Sequence, residues 1–161
     1  MKKFEIETSP KRQTFIEGWL AEDNELCDNL IELFESNESK HIIGESYTGL
    51  NKETKDSIDM VINPIDIENI DYKPVSNYMT HLNKCYWEYL KKYNMDNHLK
   101  DLHIGPFNIQ KYNKGGHFKS WHSERMNMES SSRLFAWMTY LNTVNDGGET
   151  EFYYFDIKVK P

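Results

Sequence analysis

Long apolar runs are missing from this 161-residue sequence, and so is any block of Lys and Arg. Without the first, no stretch reaches the length needed to cross a bilayer. Without the second, and with a formal net charge of −7, there is no basic footprint for a nucleic acid or an anionic membrane surface. Cysteine is scarce: Cys27 and Cys85 stand apart, neither in a C-x-x-C unit, each inside a helix-like pattern. Two buried, unpaired thiols in a reducing cytoplasm are the expectation from that usage. The opening MKKFEIETSP has two lysines but no apolar run behind them, so it does not resemble a secretory signal. Repeats and low-complexity tracts are also missing. The length suits one compact domain, residues 1–161.

Aromatic residues, by contrast, make up 14% of the chain, so a core rich in Tyr, Phe and Trp is expected. Their polar tips need partners or water. The first part, residues 1–105, reads as helical support, and residues 106–161 read as strands, which gives an α+β class. Asp23 or Asn24 can cap a helix carrying Leu26, Cys27, Leu30, Ile31 and Phe34, with Ser36 and Asn37 ending it. From Asn37 to about Asp71 the chain is polar and turn-rich, with one candidate strand at Asp59–Ile62. Pro74 opens a stronger helix whose stripe is Val75, Tyr78, Met79, Leu82, Tyr86, Tyr89, Leu90 and Tyr93. Such a stripe is expected to pack on the back of a sheet; a partner-helix interface is the alternative.

After Pro106 the period changes to two. Phe107–Tyr112 alternates, Gly115-Gly116 breaks the run and Phe118–Glu124 resumes it. Arg133–Asn142 looks like a central strand, with Leu134, Ala136, Met138 and Tyr140 on one face and Phe135, Trp137, Thr139 and Leu141 on the other. NDGGE is a hairpin signal, and TEFYYF and DIKVKP supply one or two further strands.

His122 and Glu124 carry the chemistry. Two residues apart on a strand, they point to one side with Cα atoms about 6–7 Å apart, so an imidazole and a carboxylate can meet one ion. They are two of the three donor types in the facial arrangement of two His and one carboxylate that holds Fe(II) with positions open. Six histidines would produce such a pair about once by composition alone, so a solvated polar pair on a strand is the competing explanation.

The order of several features adds to this. Tyr112 stands ten residues before His122; Tyr140-Leu141-Asn142 closes the next segment; Gly147-Gly148-Glu149-Thr150 and Phe152 follow at once. From about Phe107 to Pro161 this order resembles the catalytic domain of the prolyl 4-hydroxylase-like Fe(II)- and 2-oxoglutarate-dependent dioxygenases. The resemblance implies a helical first half packed on a double-stranded β-helix, or jelly-roll, sheet. It makes His122 and Glu124 metal ligands and sets Tyr112 and Tyr140 at 2-oxoglutarate, donating phenolic hydrogen bonds. Either tyrosine has a structural alternative, a phenol bonded to backbone. It implies Fe(II), 2-oxoglutarate and O2 as cofactor and cosubstrates, leaves room for ascorbate, and points to hydroxylation of a C–H bond in a protein or small-molecule substrate. Oligomeric state is not implied.

Two departures stand out. The family usually has Asp where this chain has Glu124. Its distal His, and the basic residue facing the far carboxylate of 2-oxoglutarate, follow strands that match nothing here: no histidine comes after His122, and Lys158 and Lys160 are the only cations after Arg133. The sheet is therefore expected to be C-terminally incomplete within these residues. A piece of a longer sequence, a split or decayed gene, or a second chain each fits. The rival class is a non-catalytic fragment or degenerate jelly-roll module acting through protein contacts. His117 and Trp121 are expected at solvent and in packing, and His41, His81, His98 and His103 carry no ligand signal.

Overall fold

The computed structural model describes residues 1–6, 13–22, 24–99 and 102–161. By Cα proximity the chain forms two compact units, one from Met1–His41 with Met60–Ile109, the other from Ile42–Asp59 with Gln110–Pro161. Residues 42–59 thus cluster with the C-terminal segment and not with the helices.

The first unit opens with strands β1 (Lys2–Phe4) and β2 (Gly18–Leu20), paired antiparallel with Phe4 opposite Gly18. A Cβ at Gly18 would lie 2.4 Å from the Phe4 ring, so the register needs glycine there. Helix α1 (Glu25–Glu35) has Asn24 at its N-cap, though the Asn24 side chain makes no cap bond; Asp23, the other expected cap, lies outside the described residues. The helix stops as expected: Ser36 Oγ and Asn37 Nδ2 both donate to the Leu33 carbonyl, at 3.2 and 2.8 Å. Helix α2 (Lys73–Lys92) begins with Pro74 in its first turn, where a missing N–H costs nothing.

The α2 stripe exists, but its main partners are α1 and the two 3-10 turns at Pro64–Glu68 and Ile70–Tyr72. The sheet expected behind it is small, so helix and turns supply most of the cover. The unit's core holds Leu30, Leu33, Phe34, Met60, Ile62, Val75, Tyr78 and Leu90. Cys85 is buried within it, whereas Cys27, also expected to be buried, is only half-buried; neither is in a disulfide. The Glu17 side chain, 7% exposed, is held by Lys3, Lys92 and Tyr93, and Trp19 Nε1 donates to Glu88 at 2.7 Å.

Strands β3 (Ile42–Ile43), β5 (Ile58–Ile62) and β6 (Phe107–Lys111) form a sheet in the order β3-β5-β6, with Ile42 opposite Asp59. The one candidate strand expected in this polar segment, Asp59–Ile62, is β5, the middle strand of the sheet. In the second unit β4 (Lys55–Asp56) pairs with β7 (His117–Phe118), Lys55 opposite Phe118, and β8 (Thr150–Phe152) pairs with β9 (Ile157–Val159). The β8–β9 turn passes through Asp156 in the left-handed region (φ 53°).

The class is mixed helix and sheet, as expected, and the sheets are small and antiparallel. None closes among the described residues. Two strand expectations are corrected. Of the Phe118–Glu124 run only Phe118 enters a strand, as the second residue of β7, and Arg133–Asn142 lies in none of the strands. Alternating apolar residues give a strand two coverable faces, but a ladder forms only where a neighbouring backbone meets its hydrogen-bonding edge. Leu134 and Met138, expected inside, are 53% and 55% exposed. No helix among the described residues is long and apolar enough to cross a membrane.

Candidate functional site

Pairing after β7 ends one residue on: the Lys119 N–H still reaches the Thr54 carbonyl at 3.0 Å, and the chain bends at Ser120. The Ser120 carbonyl is taken by a side chain instead, His122 Nδ1 at 2.8 Å. A carbonyl only accepts, so Nδ1 carries the hydrogen and Nε2 of the neutral ring keeps its lone pair. Local side-chain bonds of this kind compete with a ladder, which explains why His122 and Glu124 are not on a strand. They converge nonetheless. His122 Nε2 lies 3.7 Å from Glu124 Oε1.

Two atoms with lone pairs at that distance need something positive between them. A proton would make the pair an exposed ion pair, worth about 0–1 kcal/mol. A metal ion would bind both: two bonds of about 2.1 Å span at most about 4.2 Å, so one ion can bridge the gap. The Nδ1–H bond to a carbonyl is also the outer contact that orients ligating imidazoles. The donor types and the free Nε2 therefore fit a metal, as half of its protein ligands. Among the described residues no group of three or more His, Cys, Asp and Glu forms a site.

The surroundings supply two features the sequence did not announce. Arg133 Nη1 donates to the other Glu124 oxygen at 3.3 Å, so the carboxylate is held from both sides. The Phe118 ring stacks on the His122 imidazole, centroids 4.3 Å apart and planes 12° from parallel.

Tyr112 lies in a separate polar cluster of the same unit. Its hydroxyl donates to Gln110 Oε1 at 3.1 Å. Burial of the hydroxyl, with the nearby Asp59 charge, pushes its pKa up to about 12, although the residue as a whole is 42% exposed. It is a neutral hydrogen-bonding phenol across the physiological range. Tyr140 is pinned elsewhere: its hydroxyl lies 2.8 Å from Thr150 Oγ1 and 2.9 Å from the Val159 carbonyl, and accepts the Thr150 N–H at 2.9 Å. That phenol ties the 133–142 segment to the β8–β9 hairpin. Neither tyrosine has a hydrogen bond or ring contact with His122 or Glu124.

Of the remaining histidines, His117 has both ring nitrogens at carbonyls, Gly115 at 3.0 Å and Glu53 at 3.2 Å, so backbone and not a metal claims it. His41 stacks on Phe34, and His81 Nδ1 meets the Asn77 carbonyl at 3.0 Å. Trp121 packs edge-on against Tyr153, centroids 5.2 Å apart.

Sequence reasoning missed the polar cluster itself. Lys55, Ser57 and Asp59 are 3%, 5% and 2% exposed, the buried polar residues among those described. Lys55 Nζ donates to Asp59 Oδ2 at 2.6 Å, Ser57 Oγ to Asp59 Oδ1 at 2.7 Å, and Gln110 Nε2 to Asp59 Oδ2 at 3.0 Å. Lys55 Nζ also lies 5.7 Å from the centre of the Phe118 ring. Gly44 sits against the cluster: a Cβ there would be 2.0 Å from Ser57 Oγ. The signal was available as polar residues at positions i, i+2 and i+4 running directly into Met60 and Ile62.

No protein-family model, curated protein or solved structure matches this chain.

Proposed function

We propose that this chain carries part of the site of an Fe(II)- and 2-oxoglutarate-dependent dioxygenase of prolyl 4-hydroxylase-like type, built on a jelly-roll core. His122 and Glu124 are two of the metal's protein ligands, and a third ligand and a cation for the far carboxylate of 2-oxoglutarate are still needed to complete that site. The supporting observation is the His122–Glu124 pair, with Nε2 free and 3.7 Å from the carboxylate. Bound there, iron would supply with 2-oxoglutarate and O2 the hydroxylation of an unactivated C–H bond, one oxygen atom going to the alcohol and the other to succinate as carbon dioxide leaves.

The chain's own residues prepare that chemistry. The Ser120 carbonyl fixes the imidazole tautomer, Phe118 sets the plane of the ring, and Arg133 holds one oxygen of Glu124 while the other faces Nε2. Tyr112 offers a neutral phenol to an anionic cosubstrate. Tyr140 reaches one only by exchanging its bonds to Thr150 and Val159. The substrate class is a peptidyl proline or a related side chain, and the setting is cytoplasmic, in keeping with two cysteines that form no disulfide.

The rival is a non-catalytic module acting through protein contacts, favoured by the lack of a third donor among the described residues. Calorimetry with Fe(II) under anaerobic conditions separates the two. One-to-one uptake, lost in both His122→Ala and Glu124→Ala, supports the dioxygenase. Uptake that is absent, or that neither substitution alters, overturns it.

A further inference from the structure

Lys55 and Asp59 are the two opposite charges sealed inside the second unit, with side chains 4% and 3% exposed. Pairs of this kind cost desolvation that their attraction barely repays, so stability alone is a weak reason for one. This pair has two outlets. Through Lys55 it reaches Phe118, its cross-strand partner, whose ring lies beneath the ammonium and stacks on His122. Through Asp59 it reaches Gln110, whose Nε2 donates to the carboxylate and whose Oε1 accepts from the Tyr112 hydroxyl. The chain of contacts is continuous: Tyr112, Gln110, Asp59, Lys55, Phe118, His122.

From this continuity we infer that the buried Lys55–Asp59 pair is a positioning device that sets the His122 imidazole and the Tyr112 hydroxyl from one point. The pair touches neither metal nor cosubstrate. It acts through Phe118 on the ring plane and through Gln110 on the phenol. The charges cancel locally, so the device orients the ring without adding a net field to the site. Gly44 belongs to it, because any larger residue there would displace Ser57. The inference rests on His122 being a ligand only for its purpose; the coupling itself is a property of the metal-free chain.

The test is nitrogen NMR of the His122 imidazole in metal-free protein, at a pH where the ring is neutral. The native chain should show the Nδ1–H tautomer that the Ser120 bond requires. Phe118→Leu removes the stacking ring, and the double variant Lys55→Met with Asp59→Leu removes both charges together. In each, the signal should move toward the tautomer mixture of an unrestrained imidazole, and Phe118→Tyr should restore the native signal. Fe(II) affinity should fall about 10-fold or more in the first two, the usual effect of losing an outer contact to a ligating histidine.

An unchanged tautomer in both Phe118→Leu and the double variant overturns the inference, whatever iron does. If the double variant does not fold, the Leu and Tyr replacements of Phe118 still decide the Phe118 arm, and Asp59→Asn decides the Lys55–Asp59 arm by the same signal. A shifted tautomer in a chain that never takes up Fe(II) upholds the coupling while removing the dioxygenase reading, so the two failures are distinct.

Discussion

Lys55 Nζ sits 2.6 Å from Asp59 Oδ2 with both side chains closed off from water. Each charge is the other's main compensation, and Asp59 also accepts from Ser57 and Gln110. An ammonium with one strong partner and a carboxylate with three donors is an asymmetric pair. The carboxylate organises the cluster; the lysine neutralises it and carries the connection to Phe118.

That asymmetry predicts the effect of breaking the pair. Lys55→Met should destabilise the chain by about 3–5 kcal/mol, because it strands a buried carboxylate. Removing both charges, Lys55→Met with Asp59→Leu, should cost much less than the single change. Urea unfolding of the three proteins measures this. Equal losses in the single and double variants would show that packing, and not charge compensation, governs the site.

The same residues explain what could be read in advance. Helices α1 and α2 were legible because apolar residues at three- and four-residue spacing bury one face, and Leu30, Phe34, Val75, Tyr78 and Leu90 do so. β6 was legible because Phe107–Lys111 alternates in burial as it does in polarity. The candidate strand Asp59–Ile62 matches β5, while the buried positions just before it, Lys55 and Ser57, are polar and so read as loop. His122 and Glu124 were placed together by strand geometry, yet a bond from His122 to its neighbour's carbonyl brings them together off a strand. Arg133 was counted only as a cation because its partner is nine residues away and depends on the intervening loop. Pattern reports which face is apolar; it does not report which polar groups are sealed together.

Glu17 gives an acid-side prediction for the first unit. Burial alone would raise its pKa, but hydrogen bonds from Lys92, Tyr93 and Lys3 outweigh burial and hold the carboxyl below its ordinary 4.5. A depressed folded value means stability present in full above about pH 4.5 and lost as pH falls through the lower, folded value. Unfolding free energy measured from pH 7 down to 3 should keep the Glu17 contribution to about pH 4.5 and lose it below that. Glu17→Gln should lower stability at pH 7 and flatten the decline. A variant with the native slope would remove Glu17 as its source.

Tyr112 gives the alkaline counterpart in the second unit. Burial first, and the Asp59 charge second, raise its pKa from 10 to about 12, so the folded state holds a proton that the unfolded chain releases earlier. Its contribution is complete below pH 10 and is lost as pH rises through about 12. Tyr89 and Tyr93 are also raised to about 12, burial leading in both. Absorbance titration of the folded protein should therefore show at least three of the ten tyrosines ionising late, against a single step near pH 10 in urea. Tyr112→Phe should remove one late step. Asp59→Asn should bring that same step to lower pH, because a neutral amide no longer opposes the phenolate. A Tyr112 that titrates near 10 in the native chain would show its hydroxyl open to water, and would detach it from the cluster that links it to His122.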